Sequence, residues 1–398
     1  MNTITIAVIA DSHFDRSPNG RFAECCHIHD WIAGDLARRQ PTLILHAGDL
    51  FDGRSSPAER WAVADWLRQC AAVAPMVIVA GNHDAVGELR LFGRLDGDHH
   101  ITVRDAPSRV LVRGVSVACL PWPRKAELLA SMSHPLAPEH AAELAGEAMR
   151  DVLRSLQRPS GGVRPHILLA HAMVRGSRTS SGQPLVGCDL ELGIEDLALA
   201  QADAVVLGHI HAPQEWSWSR DGILTPIAYV GSPRRTNYGE AEAKSYLWMT
   251  LTENADGRWI AEIERVETPC QEMILLEGRP GGAEVPGLVI VGGWPDDPER
   301  VRGADVRMRY RVPADQRDAA RHDAASTRAR LLDQWGPERV TVEEVVIPTT
   351  TARDTTVAAA GSTADKLRAL WALRADAPDA ARAERVLSRL AGLEMDHG

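Results

Sequence analysis

Seven side chains able to bind a metal ion follow short apolar runs at five points of the chain. Asp11 and His13 close the run from Thr3 to Ala10, and Asp49 follows Thr42 to Ala47 and Gly48. Asn82, with His83 and Asp84 behind it, follows Met76 to Ala80 and Gly81. His171 ends the run Ile167 to Ala170, and His209 and His211 come after Ala204 to Leu207 and Gly208. Asn82 offers a neutral amide oxygen and His83 a proton donor or a base, and all three polar side chains after Gly81 can touch a ligand. His209 and His211 alternate along an extended segment, which puts both rings on one side. Three oxygen donors and four imidazoles can hold two divalent cations. Mixed oxygen and nitrogen sets suit Mn²⁺, Fe²⁺ or Zn²⁺ better than Ca²⁺. Asp49, with two carboxylate oxygens, is the natural bridge. Two cations about 3.5–4 Å apart can activate water and clamp the oxygens of an in-line displacement at phosphorus.

Each residue alone has a plainer reading. A lone histidine after a strand is usually a hydrogen-bonded loop residue, Asp49 could cap a helix, and Gly81-Asn82-His83-Asp84 could be an ordinary strand-to-helix turn. The repetition of the pattern in this order is what singles out the dimetal reading. Cys25, Cys26, His27 and His29 read as helix residues, and His99, His100, His134 and His140 as surface.

The elements that must present these groups follow from the same runs. Apolar, β-branched segments of four to eight residues, stopped by glycine or polar residues, read as buried parallel strands. Ligands of open α/β sheets bind outside the carboxyl ends of such strands, so the groups should converge. A helix is expected across about residues 21 to 39, with Cys25, Ile28, Trp31, Ile32 and Leu36 on one face. Ser56 as N-cap and Pro57 as first helical residue start another that runs to about Val73. Residues 100 to 122 read as β, Leu136 to Leu156 as a helix, and Arg175 to Gly187 as a long mobile loop. More β follows at Ile227 to Val230 and Tyr246 to Met249. The character changes at about residue 268. A strand at Val306 to Val312, a helix at Pro313 to Trp335 and a strand at Val340 to Ile347 suggest a small β-α-β domain over 268–348. A weakly patterned linker over 349–362 and a helical tail over 363–398 complete the division, leaving 1–267 for the site.

The 398 residues, 44% hydrophobic and 25% charged, suit one large or two medium globular domains rather than disorder. The net charge of −10 argues against a protein that coats nucleic acid through general basicity. It leaves open local phosphate binding at a cation site, where the ions are the largest charges. Six cysteines without a CxxC pair indicate neither a disulfide framework nor a zinc knuckle. The run after Met1 is short and lacks a basic flank, and no apolar stretch approaches the roughly 20 residues of a membrane span. A cytoplasmic protein without a membrane association is the expectation.

The series DSH (11–13), GD (48–49), GNHD (81–84), a strand-end His171 and GHIH (208–211) resembles the calcineurin-like metallophosphoesterase superfamily over residues 4 to 240. That resemblance implies an α/β fold in which two β layers form a sandwich between flanking helices, four layers in all, in place of one parallel sheet. The runs HAGDLFDGRSSP (46–57), LGHIHAPQ (207–214) and YVGSPRRTNYGE (229–240) resemble the SbcD nuclease family more narrowly. This implies a Mn²⁺-dependent DNA exonuclease or endonuclease of double-strand-break repair and recombination. It further implies a capping domain, C-terminal helices that dock on the coiled coil of an SbcC-type SMC-like ATPase, and a homodimer formed through helices of the phosphoesterase part. By the same resemblance Asp11, His13 and His211 hold one metal, Asn82, His171 and His209 the other, and Asp49 bridges. His83 orients the phosphate or protonates the leaving 3′ oxygen, and Asp52 has no settled role. Arg234 and Arg235 are either phosphate contacts or solvated loop charges. The rival readings are a phosphodiesterase or phosphatase for a small nucleotide or phosphoprotein, and a non-enzymatic scaffold on the same fold.

Overall fold

The computed structural model describes residues 2–17, 21–85, 87–124, 128, 138–160, 164–180, 190–220, 222–281, 287–347, 355–374 and 378–395. The chain divides into two compact units that interleave in sequence. One is formed by Met1–Glu277, Ile290–Met308 and Arg328–Val342, the other by Gly278–Val289, Arg309–Thr327 and Glu343–Gly398.

In the first unit the strands β1 (Thr3–Ile9), β2 (Leu43–His46), β3 (Met76–Val79) and β4 (Ile101–Arg104) pair in parallel in that order. A second sheet is built on β5 (Ser108–Val112), β6 (Val115–Leu120), β7 (His166–His171), β10 (Ala204–Gly208), β11 (Gln214–Arg220) and β12 (Ile223–Tyr229). The short β8 (Met173–Val174) and β9 (Glu191–Leu192) pair with each other. Within the second sheet β6, β7, β10 and β12 are parallel, while β5 and β11 close the edges antiparallel. The first sheet is completed by β13 (Ser245–Glu253), antiparallel to β1, and β14 (Trp259–Glu267).

Alternation explains the layers. Along β1, Ile6 and Val8 point into the apolar layer between the sheets, where they meet Val117, Ile167, Leu169 and Val206 of the second sheet. Ala7 and Ile9 point the other way, to Ile28, Ile32 and Leu36 of α1 (Phe22–Arg39) and Val63, Trp66 and Leu67 of α2 (Pro57–Ala71). On the far side, Leu120, Leu168 and Leu207 pack on Met149 and Leu153 of α3 (Pro138–Ser155). The result is helix, sheet, sheet, helix. Strands buried on both faces must be apolar at every position, which is why they read as continuous runs. The start of α2 is a capping box, with Ser56 Oγ accepting from the Glu59 N–H and the Glu59 carboxylate accepting from the Ser56 N–H.

After residue 268 a further sheet of order β16-β15-β17-β18 is built from β15 (Met273–Pro280), β16 (Leu288–Gly292), β17 (Asp305–Pro313) and β18 (Arg339–Ile347). It has two strands more than the β-α-β pattern predicts. Gly278, Arg279 and Pro280 break the alternation of β15, and β16 is only five residues long, so neither stands out in sequence. Helix Arg317–Trp335 joins the last two strands, and helices Thr363–Ala372 and Ala380–Met395 form the tail. Part of the expected linker, Thr355–Ala359, is helical, while its stretch 349–354 lies outside the described residues, as does 181–187 of the expected loop. Among the described residues no helix is long and apolar enough to cross a membrane.

Candidate metal centre

The carboxyl ends of the parallel strands of both sheets meet at one place. Three backbone hydrogen bonds zip the loop after β1 to the loop after β2: Asp11 N–H to Gly48 O (3.0 Å), His13 N–H to Asp49 O (3.1 Å) and Phe14 N–H to Leu50 O (3.0 Å). Asp11, His13, Asp49 and His209 all have positive φ, at 51°, 45°, 55° and 104°. Such conformations cost about 1–3 kcal/mol each for non-glycine residues and persist only where the surroundings over-determine them. Gly81 is required by close approach, because a Cβ there would collide with the Asp49 carboxylate. Gly48 has φ +93°, and a Cβ on it would strike the His171 ring.

Asp84 does not face a ligand, contrary to the expectation for the three polar residues after Gly81. It is buried, and its carboxylate accepts from the N–H groups of Gly81 (2.8 Å), Asp49 (3.0 Å), Leu50 (3.0 Å) and Phe51 (3.1 Å). Burial and the nearby Asp49 push its carboxyl up to about 6, while the Gly81 and Phe51 donors pull it down. Asp84 therefore ties the β3 loop to the β2 loop.

The predicted ligands converge. Asp11, His13 and His211 form one group whose donor atoms lie within 4.8 Å of one another, and Asp11, Asp49 and His171 form a second. His13 Nε2 and His211 Nε2 face each other at 3.0 Å, with Asp49 Oδ2 3.7 Å from the former. Asn82 Oδ1 lies 2.9 Å from His171 Nε2 and 3.0 Å from His209 Nδ1, and Asp49 Oδ2 is 3.4 Å from His171 Nε2.

The proton inventory fits a divalent cation. His13 Nδ1 is 3.0 Å from Asp52, His211 Nδ1 is 3.1 Å from Glu240 and His171 Nδ1 is 2.7 Å from the Ala47 carbonyl. Carboxylates and carbonyls only accept, so each Nδ1 carries a hydrogen and each Nε2 is the nitrogen left to face a cation. Two imidazole nitrogens 3.0 Å apart, and a third 2.9 Å from an amide oxygen, need a positive species among them, a proton or a metal cation. Asp11 Oδ2, fully buried, has no hydrogen-bond partner among the described residues. The donor set is that of a site for divalent metals.

Electrostatics agree. Burial works against the charge of Asp49, but His171, His13 and the His83 N–H outweigh it and hold its carboxyl below the ordinary range. Burial also pulls His171 down, yet the Asp49 carboxylate prevails and raises it to about 9. A cation taken up there must displace a proton. Burial, reinforced by His171, pushes His209 down to about 3.

His83 sits at the mouth, 42% exposed, with Nδ1 3.2 Å from Asp52. The Asp52 hydrogen bond raises its pKa above the ordinary imidazole value. Arg234 and Arg235 depart from both readings of the sequence: they are 2% and 3% exposed, neither solvated nor free to meet a phosphate. Arg234 donates to the His13 carbonyl (2.6 Å), and Arg235 to the carbonyls of Glu240 (2.9 Å) and Glu242 (3.1 Å). The guanidinium groups donate to carbonyls of neighbouring loops and so brace those loops.

Sequence reading also missed Glu240 behind His211, and Trp122, whose ring lies 4.7 Å from that of His209. Both come from distant segments that carry no ligand, so no spacing marks them. A cavity of about 360 Å³, bounded by Thr179, Ser180, Asn237 and Gly239, opens beside His209 and His211. A larger one of about 720 Å³, lined by Trp218, Arg258 and Trp259, contains none of the ligands.

The model of the family described as calcineurin-like phosphoesterase matches residues 4–213, a span that includes all seven candidate ligands. The D subunit of nuclease SbcCD from Bacillus subtilis (strain 168) is 27% identical over 327 residues, which cover 77% of this chain and 78% of that protein. Its namesake from Staphylococcus epidermidis is 22% identical over 280 residues, covering 68% of this chain and 71% of that one. Among solved structures, TT1561 of Thermus thermophilus aligns with 67% of this chain and 99% of its own at 14% identity and a TM-score of 0.39.

Proposed function

The chain belongs to the calcineurin-like phosphoesterase family, and from that premise we propose that it is a Mn²⁺-dependent nuclease that hydrolyses DNA phosphodiester bonds. The observation that carries the nuclease reading is the reach of the likeness: it extends over 327 residues of a nuclease component, beyond the 4–213 of the phosphoesterase match. Asp11, His13 and His211 would hold one cation, Asn82, His171 and His209 the other, with Asp49 shared. When bound, such a pair supplies activation of water and stabilisation of charge at phosphorus.

The protein's own groups do the rest. Asp52 engages His83 Nδ1 and favours the charged ring, leaving Nε2 to face the substrate. As water adds to phosphorus and the P–O3′ bond breaks, the His83 Nε2 proton passes to the leaving 3′ oxygen. The cavity beside His209 and His211, lined in part by Thr179, Ser180 and Asn237, would take a sugar or base.

The remaining parts of the chain support a role inside a larger assembly. The segment 268–348 would be the counterpart of the capping domain that the SbcD resemblance implies. Exposed Leu370, Leu373 and Val386 give the tail helices apolar faces suited to the coiled coil of an SbcC-type SMC-like ATPase. Trp61 on α2 and Leu91, exposed at 71% and 63%, suit a homodimer contact through the phosphoesterase part. In that role the complex would act in double-strand-break repair.

The test is Mn²⁺-dependent cleavage of linear double-stranded DNA beside an aryl phosphodiester, with and without the ATPase. Wild type should cleave the DNA, and His83→Ala should lose about 10²–10⁴-fold in rate while retaining both metals. Hydrolysis of the aryl ester with DNA intact even when the ATPase is added would overturn the nuclease reading in favour of a small-molecule phosphodiesterase.

A further inference from the structure

Behind the metal-facing loops lies a polar chain that the proposed chemistry does not use. Ser12 stands between the ligands Asp11 and His13, and its side chain turns into the protein, fully buried. Its Oγ is 2.9 Å from His46 Nε2 and 2.8 Å from His29 Nε2, on rings that are themselves wholly buried. His46 ends β2, three residues before Asp49, and His29 lies in α1.

Every proton in this chain can be placed. The Gly48 N–H donates to His46 Nδ1 at 3.3 Å, so that nitrogen is unprotonated and the hydrogen of His46 is on Nε2. His29 Nδ1 is 2.7 Å from the Cys25 carbonyl, which only accepts, so His29 carries its hydrogen on Nδ1 and presents a lone pair at Nε2. Burial pushes both rings down to about 3, so each is neutral with one hydrogen. Ser12 must then accept from His46 and donate to His29. The bonds run one way, from Gly48 through His46, Ser12 and His29 to the Cys25 carbonyl, and backbone groups close both ends. The Ser12 and His13 carbonyls are held separately, the first by the Cys25 thiol at 3.6 Å and the second by Arg234 at 2.6 Å.

We propose that Ser12, His29 and His46 are positioning residues of the metal centre, locking the Asp11–His13 loop against the Gly48–Asp49 loop and so setting the separation of the ligands. Three of the ligands in these two loops, Asp11, His13 and Asp49, hold left-handed φ values that need such external constraint. Backbone bonds between the loops fix their pairing, and the Ser12 chain, beside the Cys25 thiol on the Ser12 carbonyl, anchors them from behind to α1. Because both histidines use both ring nitrogens, no member can be replaced by an apolar residue without leaving a buried polar atom unpaired. The proposal rests on the dimetal reading, and it concerns how tightly the site is held rather than what it cleaves.

The first measurement is long-range ¹H–¹⁵N correlation of the histidine rings in metal-free wild-type protein labelled at histidine. His46 should be the Nε2–H tautomer and His29 the Nδ1–H tautomer. The reverse assignment at either ring would overturn the proposal. The second is calorimetric titration of Mn²⁺ into wild type, Ser12→Ala and Ser12→Thr, with thermal unfolding recorded for each. Ser12→Ala should weaken Mn²⁺ binding by about 10–100-fold and lower kcat with KM for DNA little changed, and Ser12→Thr, which keeps the hydroxyl, should recover most of the affinity. A Ser12→Ala protein that melts earlier yet binds Mn²⁺ like wild type would reduce the chain to a structural role and sink the proposal. A wild type that takes up no Mn²⁺ would overturn the dimetal reading, whereas the tautomers are read without metal and decide the hydrogen-bond chain separately.

Discussion

The two halves of the proposed metal centre are built from similar candidate ligands but backed by different chemistry. In the half formed by Asp11, His13 and His211, each histidine leans on a carboxylate, His13 on Asp52 and His211 on Glu240. In the half formed by Asn82, His171 and His209, the support is a carbonyl, Ala47 O behind His171, and an aromatic ring, Trp122 beside His209. The oxygen donors repeat the contrast, with an anionic Asp11 in one half and a neutral Asn82 in the other. A carboxylate behind an imidazole raises its basicity as a ligand, and an anionic donor adds direct attraction. Two divalent ions should therefore bind in order, the first to the carboxylate-backed half.

The comparison breaks most completely at the residue both halves share. Asp49→Asn removes the bridging charge, and the loss of several kcal/mol of electrostatic stabilisation corresponds to about three orders of magnitude in rate. Cleavage assays and metal analysis should show the activity gone and fewer than two ions retained; two tightly held ions in the variant would contradict the bridging role. Glu240→Gln separates the halves instead. It should weaken one of the two Mn²⁺ binding steps by about 10–100-fold and leave the other near wild type. Glu240 also pairs with the buried Lys244 at 2.7 Å, and Glu242 is an equal distance away. A lower melting temperature without unfolding is expected, because Lys244 keeps one carboxylate. Equal weakening of both steps in calorimetry would mean the halves are not distinct.

The candidate ligands and their meeting at one place were legible in sequence because each follows an apolar strand, and strand ends are where such folds gather chemistry. Their supports were not. Glu240 and Trp122 reach the site only through tertiary folding, and His46 reads as one more residue of a strand. The division into two sheets was equally hidden from periodicity. Ile6 and Val8 serve one apolar layer while Ala7 and Ile9 serve another, so the run shows no alternation that would say which sheet it joins. It was the resemblance carried by the motifs that supplied the four-layer arrangement. The Arg234-Arg235 pair shows the opposite error. Two adjacent arginines near glycine and proline look like solvated loop charges, yet they are buried with their guanidinium groups on carbonyls of neighbouring loops. Asp84 was misplaced for a related reason: a carboxylate in a polar run at a strand end looks free to touch a ligand, and only the fold brings the four backbone N–H groups that claim it.

The smallest effect, and the finest probe of the contrast, is expected from Asp52, which contacts both the candidate ligand His13 and the proposed proton donor His83. Its carboxylate touches His13 Nδ1 at 3.0 Å and His83 Nδ1 at 3.2 Å. The hydrogen bond to Asp52 raises the pKa of His83, so the ring stays protonated to a higher pH than an ordinary histidine. If His83 donates the proton to the leaving oxygen, kcat/KM holds while His83 is charged and falls as pH rises through its raised pKa. Asp52→Asn removes the charge that favours the imidazolium, so the alkaline limb of kcat/KM should move to lower pH. The first Mn²⁺ binding step should weaken only modestly, since His13 remains held within the site by its neighbours. A limb that stays in place while Mn²⁺ affinity drops would assign Asp52 to the ligand half alone and leave His83 without its tuning partner. A limb that shifts with Mn²⁺ affinity intact would assign it to the proton donor, and the carboxylate backing of the first half would then rest on Glu240.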